Sequence, residues 1–190
     1  ADQNKRTDLD FDGYSYKMIR GLDFYDSVLA VLKEHGNIDF INQKVTDFVD
    51  MDLHVLVKTN VESYTCNKLF NSIYNPPQQS KYPLLQQHFI GWHIKTDTPA
   101  FDEKKATFMD FSIAQKGNTR FMYVLPFAPG EAIVEYTLFS EKPLPETEYE
   151  QAIEDYLNKM GIEDYAIIAE EKGSIPMTSY PFWENNTKNI

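Results

Sequence analysis

The chain holds one cysteine, Cys66, in 190 residues. An internal disulfide is thereby excluded, and a reducing compartment is favoured. Its eight glycines form neither G-x-G-x-x-G nor G-x-x-x-x-G-K. These residues alone therefore offer no loop to cradle phosphates. G-x-S-x-G and C-x-x-C are also missing. The four histidines, His35, His54, His88 and His93, are too scattered for a metal pattern. His88 and His93 lie five apart on an expected strand and so face opposite sides. No apolar run approaches the roughly 18 residues of a membrane helix. The opening ADQNKRTDLDFDG is polar and does not read as a secretory signal. Basic residues are the minority: 18 Lys and Arg against 29 Asp and Glu give a net charge of −11. That argues against nucleic acid and against electrostatic docking on anionic lipid, and leaves apolar contact with a membrane open.

Aromatics, by contrast, are plentiful, at 13 Phe, 12 Tyr and 2 Trp. They suit either a large core or an apolar ligand site. GLDFYDSVLAVLKEHGN predicts a helix, with Asp23 as N-cap, a stripe of Tyr25, Val28, Leu29 and Leu32, and Gly36 as terminator. LPETEYEQAIEDYLNKMG predicts a second, with Tyr149, Ile153, Tyr156 and Leu157 on one side and Gly161 at its end. Strands are expected in IDFINQKVTDFV, LHVLVKT, SYTCNKLFNSI, QHFIGWHIKTD, ATFMDFSIAQ, RFMYVLPF and EAIVEYTLFS. DYAIIAEEKGSIPM reads as a last strand pair or one bent strand, and the proline-bearing stretch 74–83 as a loop. The fold class is therefore α+β with a large, mostly antiparallel sheet and two or more helices. The expected organisation is a polar segment 1–13, one α+β domain over 14–183 and a polar tail 184–190.

One acid stands out within EAIVEYTLFS. As a strand, this run puts Ile133, Glu135, Thr137 and Phe139 on one face and Ala132, Val134, Tyr136 and Leu138 on the other. Both faces are largely apolar, so cover on both sides is expected. A carboxyl beside Ile and Phe titrates above its usual value, because desolvation disfavours the anion. A carboxylic acid still neutral at pH 7 is what a general acid requires. The alternative is a carboxylate at a sheet edge or paired with Lys or Arg. Asp110, in ATFMDFSI, is a second acid in an apolar strand. It either pairs with Glu135 across the sheet or bonds the backbone of a turn.

Four segments resemble the flavoprotein type of lycopene cyclase found in bacteria and plants. They are YKMIRGLDFYDSVLAVL, QHFIGWHIKTDTPAFDEKKATFMDFSIAQ, RFMYVLPFAPGEAIVEYTLFS and EEKGSIPMTSYPF. The resemblance implies a central fragment of such a protein, lacking both glycine-rich flavin motifs. It would hold the substrate-side sheet of a fold like that of FAD-dependent hydroxylases, together with pieces of an incomplete FAD domain. It implies acid-catalysed, redox-neutral cyclisation of the ends of lycopene, or a similar polyene, with reduced FAD in the full-length protein and none bound by the fragment, which alone would be inactive. The family's Phe-Leu-Glu-Glu-Thr motif falls on Ile133 to Thr137, so its first Glu is Glu135 and its second is replaced by Tyr136. Phe121, Tyr123, Phe127 and Phe139 could offer π faces to a carbocation, or serve as plain core. Arg20 could touch the flavin or be a surface arginine at a helix start. Val45 would lie on a strand giving backbone contacts to adenine. His93 stands where the family leads one to expect an acid. In SYTCNKLFNSI, a stretch resembling a strand that returns to the FAD domain, Leu69, Phe70 and Ile73 are expected to lie exposed. The expected location is cytoplasmic, peripheral to the inner face of a membrane. Another flavin-dependent oxidoreductase of an apolar substrate, and a non-catalytic apolar-ligand binder, remain the alternatives.

Overall fold

The computed structural model describes residues 7–9, 12–73 and 81–190. Most of the proline-bearing loop expected at 74–83 lies outside the described residues. The chain divides into two compact units. One runs from Tyr82 to Ser179 with the segment ending at Tyr16; the other comprises Lys17–Lys81 and Tyr180–Ile190.

The smaller unit contains helix α1 (Gly21–Lys33) and an antiparallel sheet of β1 (Val45–Asp50), β2 (Val55–Thr59) and β3 (Ser63–Cys66), with β2 central. Arg20, not Asp23, takes the N-cap position of α1, and its side chain makes no cap bond. Asp23 instead sits in the first turn, where a carboxylate meets the positive end of the helix. Glu34 ends the helix in right-handed geometry, so Gly36 is not its terminator. No residue of α1 is buried: Tyr25 is 62% exposed, while Leu29 and Leu32 are half-buried. Two expected strands are shorter than their apolar runs. Residues 38–44 and 67–73 carry no regular structure, and there Phe70 and Ile73 are exposed while Leu69 is half-buried. The polar tail is bonded in. Asp50 accepts hydrogen bonds from the Asn189 amide and side chain, each at 2.9 Å, and from the Thr187 hydroxyl.

The larger unit is a five-stranded antiparallel sheet. It comprises β4 (Leu84–Lys95), β5 (Thr107–Asp110), β6 (Arg120–Ala128), β7 (Glu131–Ser140) and β8 (Ala166–Thr178), in the order β5-β6-β7-β4-β8. Helix α2 (Glu146–Lys159) crosses one face. Its Tyr149, Ile153, Tyr156 and Leu157 are buried, as their spacing predicts. They meet Ile90, Trp92 and Ile94 of β4, Met122 and Val124 of β6, and Ala132, Val134, Tyr136 and Leu138 of β7. Each of the buried Val, Leu, Ile and Met side chains contributes roughly 1.5–3 kcal/mol through burial. Gly161 ends the helix at φ 76°, with its own amide bonded to the Asn158 carbonyl and the Ile162 amide to the Leu157 carbonyl. This double closure needs the left-handed backbone that glycine adopts without strain. The last strand is single, and a bulge opposite His93 and Ile94 interrupts its register with β4.

Below α2, His88 is 1% exposed. Its Nε2 lies 2.8 Å from the Ser140 hydroxyl and its Nδ1 2.6 Å from the Tyr149 hydroxyl. Arg120, 5% exposed, donates to the Tyr136 hydroxyl at 2.9 Å. Hydrogen bonding offsets the cost of burying these polar groups.

Candidate active site

The face of the sheet opposite α2 carries the acid. On β7, Ala132, Val134, Tyr136 and Leu138 are buried toward the helix, whereas Ile133, Glu135 and Phe139 on the other side are half-buried. Cover on both sides was expected; of the two, only the α2 side is fully closed. Glu135 sits mid-strand, opposite Tyr123 of β6 and Gly91 of β4. Beyond Gly91, in the same row, comes Glu171 of β8. The Thr137 hydroxyl donates to Glu135 Oε1.

Burial pushes the Glu135 carboxyl up to about 6, with the charge of Glu171 and a hydrogen bond to it acting in the same direction and the Thr137 bond opposing them. About a tenth of a carboxyl titrating near 6 is protonated at pH 7. The expectation of a mostly neutral acid at pH 7 is therefore met in direction but not in extent. Burial, followed by the charge of Glu135, also raises the Tyr123 phenol.

Several rings share this face of the sheet, with Tyr123 directly opposite Glu135. Tyr123 meets Phe121 edge-on at 5.0 Å and Phe108 at 5.4 Å, Tyr16 meets Phe108 at 5.7 Å, and Phe139 lies 6.3 Å from Phe121. Phe127 tilts over His93 at 4.9 Å, toward the Ile133 end of the face. Tyr123, Phe127 and Phe139 keep partly open faces, and Phe108 is 49% exposed. Phe121 is 2% exposed, so it packs beneath the others and offers no surface of its own.

Asp110 does not pair with Glu135. Regular alternation would put Asp110 on the side of Phe108. Instead Thr107 pairs with Val124 and Asp110 with Met122, so two residues bulge between the two pairings, and Met109 stands at φ 58°. The bulge turns Asp110 toward α2. There its carboxylate accepts from the Ser112 amide and the Tyr156 hydroxyl, each at 2.8 Å. Burial works against its ionised form, but the Ser112 and Tyr156 bonds and the charge of Lys159 outweigh it and hold the carboxyl below its usual value.

Arg20 and Val45 belong to the smaller unit. The Arg20 guanidinium lies 3.8 Å from Asp23, and Val45, 38% exposed, opens β1 opposite Thr59. The sequence has neither G-x-G-x-x-G nor G-x-x-x-x-G-K, the loops that lay backbone amides against a diphosphate. These residues by themselves therefore do not fit an FAD site. His93 bonds Glu131 at 2.8 Å. Glu171 and Gly91 escaped sequence reasoning. Their relation to Glu135 depends on the pairing of β4 with β8, two strands about 80 residues apart.

The antiparallel sheet thus presents a half-buried carboxyl, pushed up to about 6, on a face that carries aromatic rings. The chain belongs to the lycopene cyclase family, whose model, described as lycopene cyclase protein, matches residues 1–189. It is similar to a lycopene beta-cyclase of Paracoccus sp. (strain N81106 / MBIC 01143), with 32% identity over 92 residues, or 48% of this chain and 23% of that relative. The match thus spans under a quarter of the relative's length. A crystal structure of the tetracycline destructase Tet(51) aligns with 81% of this chain and 46% of its own, at a TM-score of 0.39 and 14% identity.

Proposed function

We propose that this chain supplies the acid-bearing, substrate-side sheet of an enzyme that cyclises the ends of lycopene, or a similar linear polyene, without net redox change. The observation that carries this reading is Glu135, a desolvated carboxyl titrating near 6 on an aromatic face. Its proton goes to a terminal double bond and leaves a tertiary carbocation. A neighbouring double bond attacks that cation and closes a six-membered ring. Loss of a ring proton then gives the β-ionone end. Protons in and out balance, and no electrons are transferred. Tyr123, Phe127 and Phe139 would place π faces beside the cation, where their negative quadrupoles attract it. A bound polyene would expel water from the open face and push the acid further toward its protonated form.

The family resemblance implies reduced FAD in the intact protein. Since the residues here do not form its cradle, the proton chemistry is assigned to this chain's own side chains. Among the described residues no helix is long and apolar enough to cross a membrane. Contact with a bilayer holding the polyene would be peripheral and apolar, on its cytoplasmic side, given the net charge of −11. The test is ring formation from lycopene by the intact protein with reduced flavin, comparing wild type with Glu135→Gln. The variant is expected to form no rings. Equal ring formation by both would remove Glu135 from its role. Consumption of reductant in step with product would point to an oxidoreductase instead.

A further inference from the structure

The site contains a second acid that the proton-donor assignment does not use. Glu135 and Glu171 are on β7 and β8, with β4 between them. Strands two apart in a sheet are separated by about 10 Å, beyond ordinary cross-strand contact. The residue in the gap is Gly91, which pairs with both glutamates. A Cβ at position 91 would stand 3.3 Å from Glu135 Cβ, 3.2 Å from Glu171 Cγ and 3.3 Å from Glu171 Oε1. The missing side chain thus leaves a saddle over which the two long acidic side chains lean together. Glu171 thereby comes close enough to act on the Glu135 carboxyl and raise it. Two carboxyls brought this close repel when both are ionised, which favours a form with one proton between them.

We propose that Glu171 is a positioning residue: across Gly91 it shares a single proton with Glu135 and keeps that carboxyl in its donating form. This deepens the cyclase reading and rests on it. Glu171 is exposed on the edge strand, whereas Glu135 is half-buried. Glu171 is therefore the water-facing member of the pair. The proton lost from the ring returns to the same pair, so the pair ends each cycle as it began. The other titratable groups on this face are Tyr123 from β6, His93 and Lys95 from β4, Glu131 of β7, which holds His93, and Tyr16, which acts on Tyr123. None of them bridges to Glu135 as Glu171 does.

The test uses the intact protein and Glu171→Gln, an exposed change that leaves the core untouched. Carboxyl carbon-13 NMR, assigned through Glu135→Gln, reads the titration midpoint of Glu135 without any turnover. Loss of the like charge and the shared proton is expected to lower that midpoint by about one pH unit. The alkaline limb of ring formation should move down equally, a roughly tenfold loss at pH 7.5 with the rate at pH 4 nearly retained. Gly91→Ala, whose methyl wedges between the side chains, should shift both readouts in the same direction. An unmoved midpoint and limb in both variants would overturn the proposal. If Glu135→Gln still formed rings, Glu135 would lose its role as proton donor, while the NMR midpoint would still decide whether the carboxyls are coupled.

Discussion

Replacing Glu135 by Gln should make the protein more stable at alkaline pH and not at acid pH. The acid's titration rises from 4.5 in the unfolded chain to about 6 in the fold. A shift of about 1.5 units corresponds to roughly 2 kcal/mol of differential cost between its two forms. The sign follows from proton binding. Between these two values the folded state binds more protons than the unfolded state, so stability falls as pH rises. Below 4.5 both states hold the proton and nothing is lost. Above about 6 the penalty is complete. Gln is nearly isosteric and never charged, so it escapes the penalty. The difference in unfolding free energy between variant and wild type should therefore grow by about 2 kcal/mol in the variant's favour from pH 4.5 to pH 8. Urea unfolding followed by tryptophan fluorescence at a series of pH values measures it. Trp92 is buried against α2 in the same unit as Glu135, so it reports on the relevant core. A difference that stays flat across pH would refute the argument, because the carboxyl would then pay no cost for its surroundings.

Asp110→Asn should lower stability by roughly 1–3 kcal/mol, since the Ser112 and Tyr156 donors lose an ionised acceptor, and should leave cyclisation by the intact protein unchanged. Leu157→Ala, at a fully buried position of α2, should cost about 2–5 kcal/mol in urea unfolding. Asp50→Ala should loosen the 187–189 segment, visible as faster amide exchange at Asn189. The Asp50 carboxyl is held well below its usual value by Thr187 and then by Asn189. Its contribution is therefore present above pH 3.8 and is lost as pH falls further, so acid should release the same segment in the wild type.

Alternation along EAIVEYTLFS was enough to place Glu135 on the face away from Tyr136, because a strand's side chains obey a period of two over a regular stretch. For Asp110 the sequence left open pairing with Glu135 or bonding a turn backbone, and the structure takes the second, through the Ser112 amide. One bulge with Met109 at positive φ shifts the count, and no local signal in TFMD announces it. The second helix was legible in full because its stripe packs within this chain. For α1 the stripe was legible too, yet none of it is buried here, so its ends were set by local backbone geometry, not by the pattern. Glu171 was visible as a residue of EEKGSIPM but not as a neighbour of Glu135. Proximity across three strands is a property of register, which the intervening chain conceals. Phe121 shows the opposite limit: aromatic content alone does not separate a ring that lines a site from one that supports it.

The most direct test of the whole account is the titration of the Glu135 side-chain carboxyl by carbon-13 NMR. A midpoint near pH 6 is predicted from its burial and from Glu171. A midpoint at or below 4.5, the value of a freely solvated carboxyl, would contradict it.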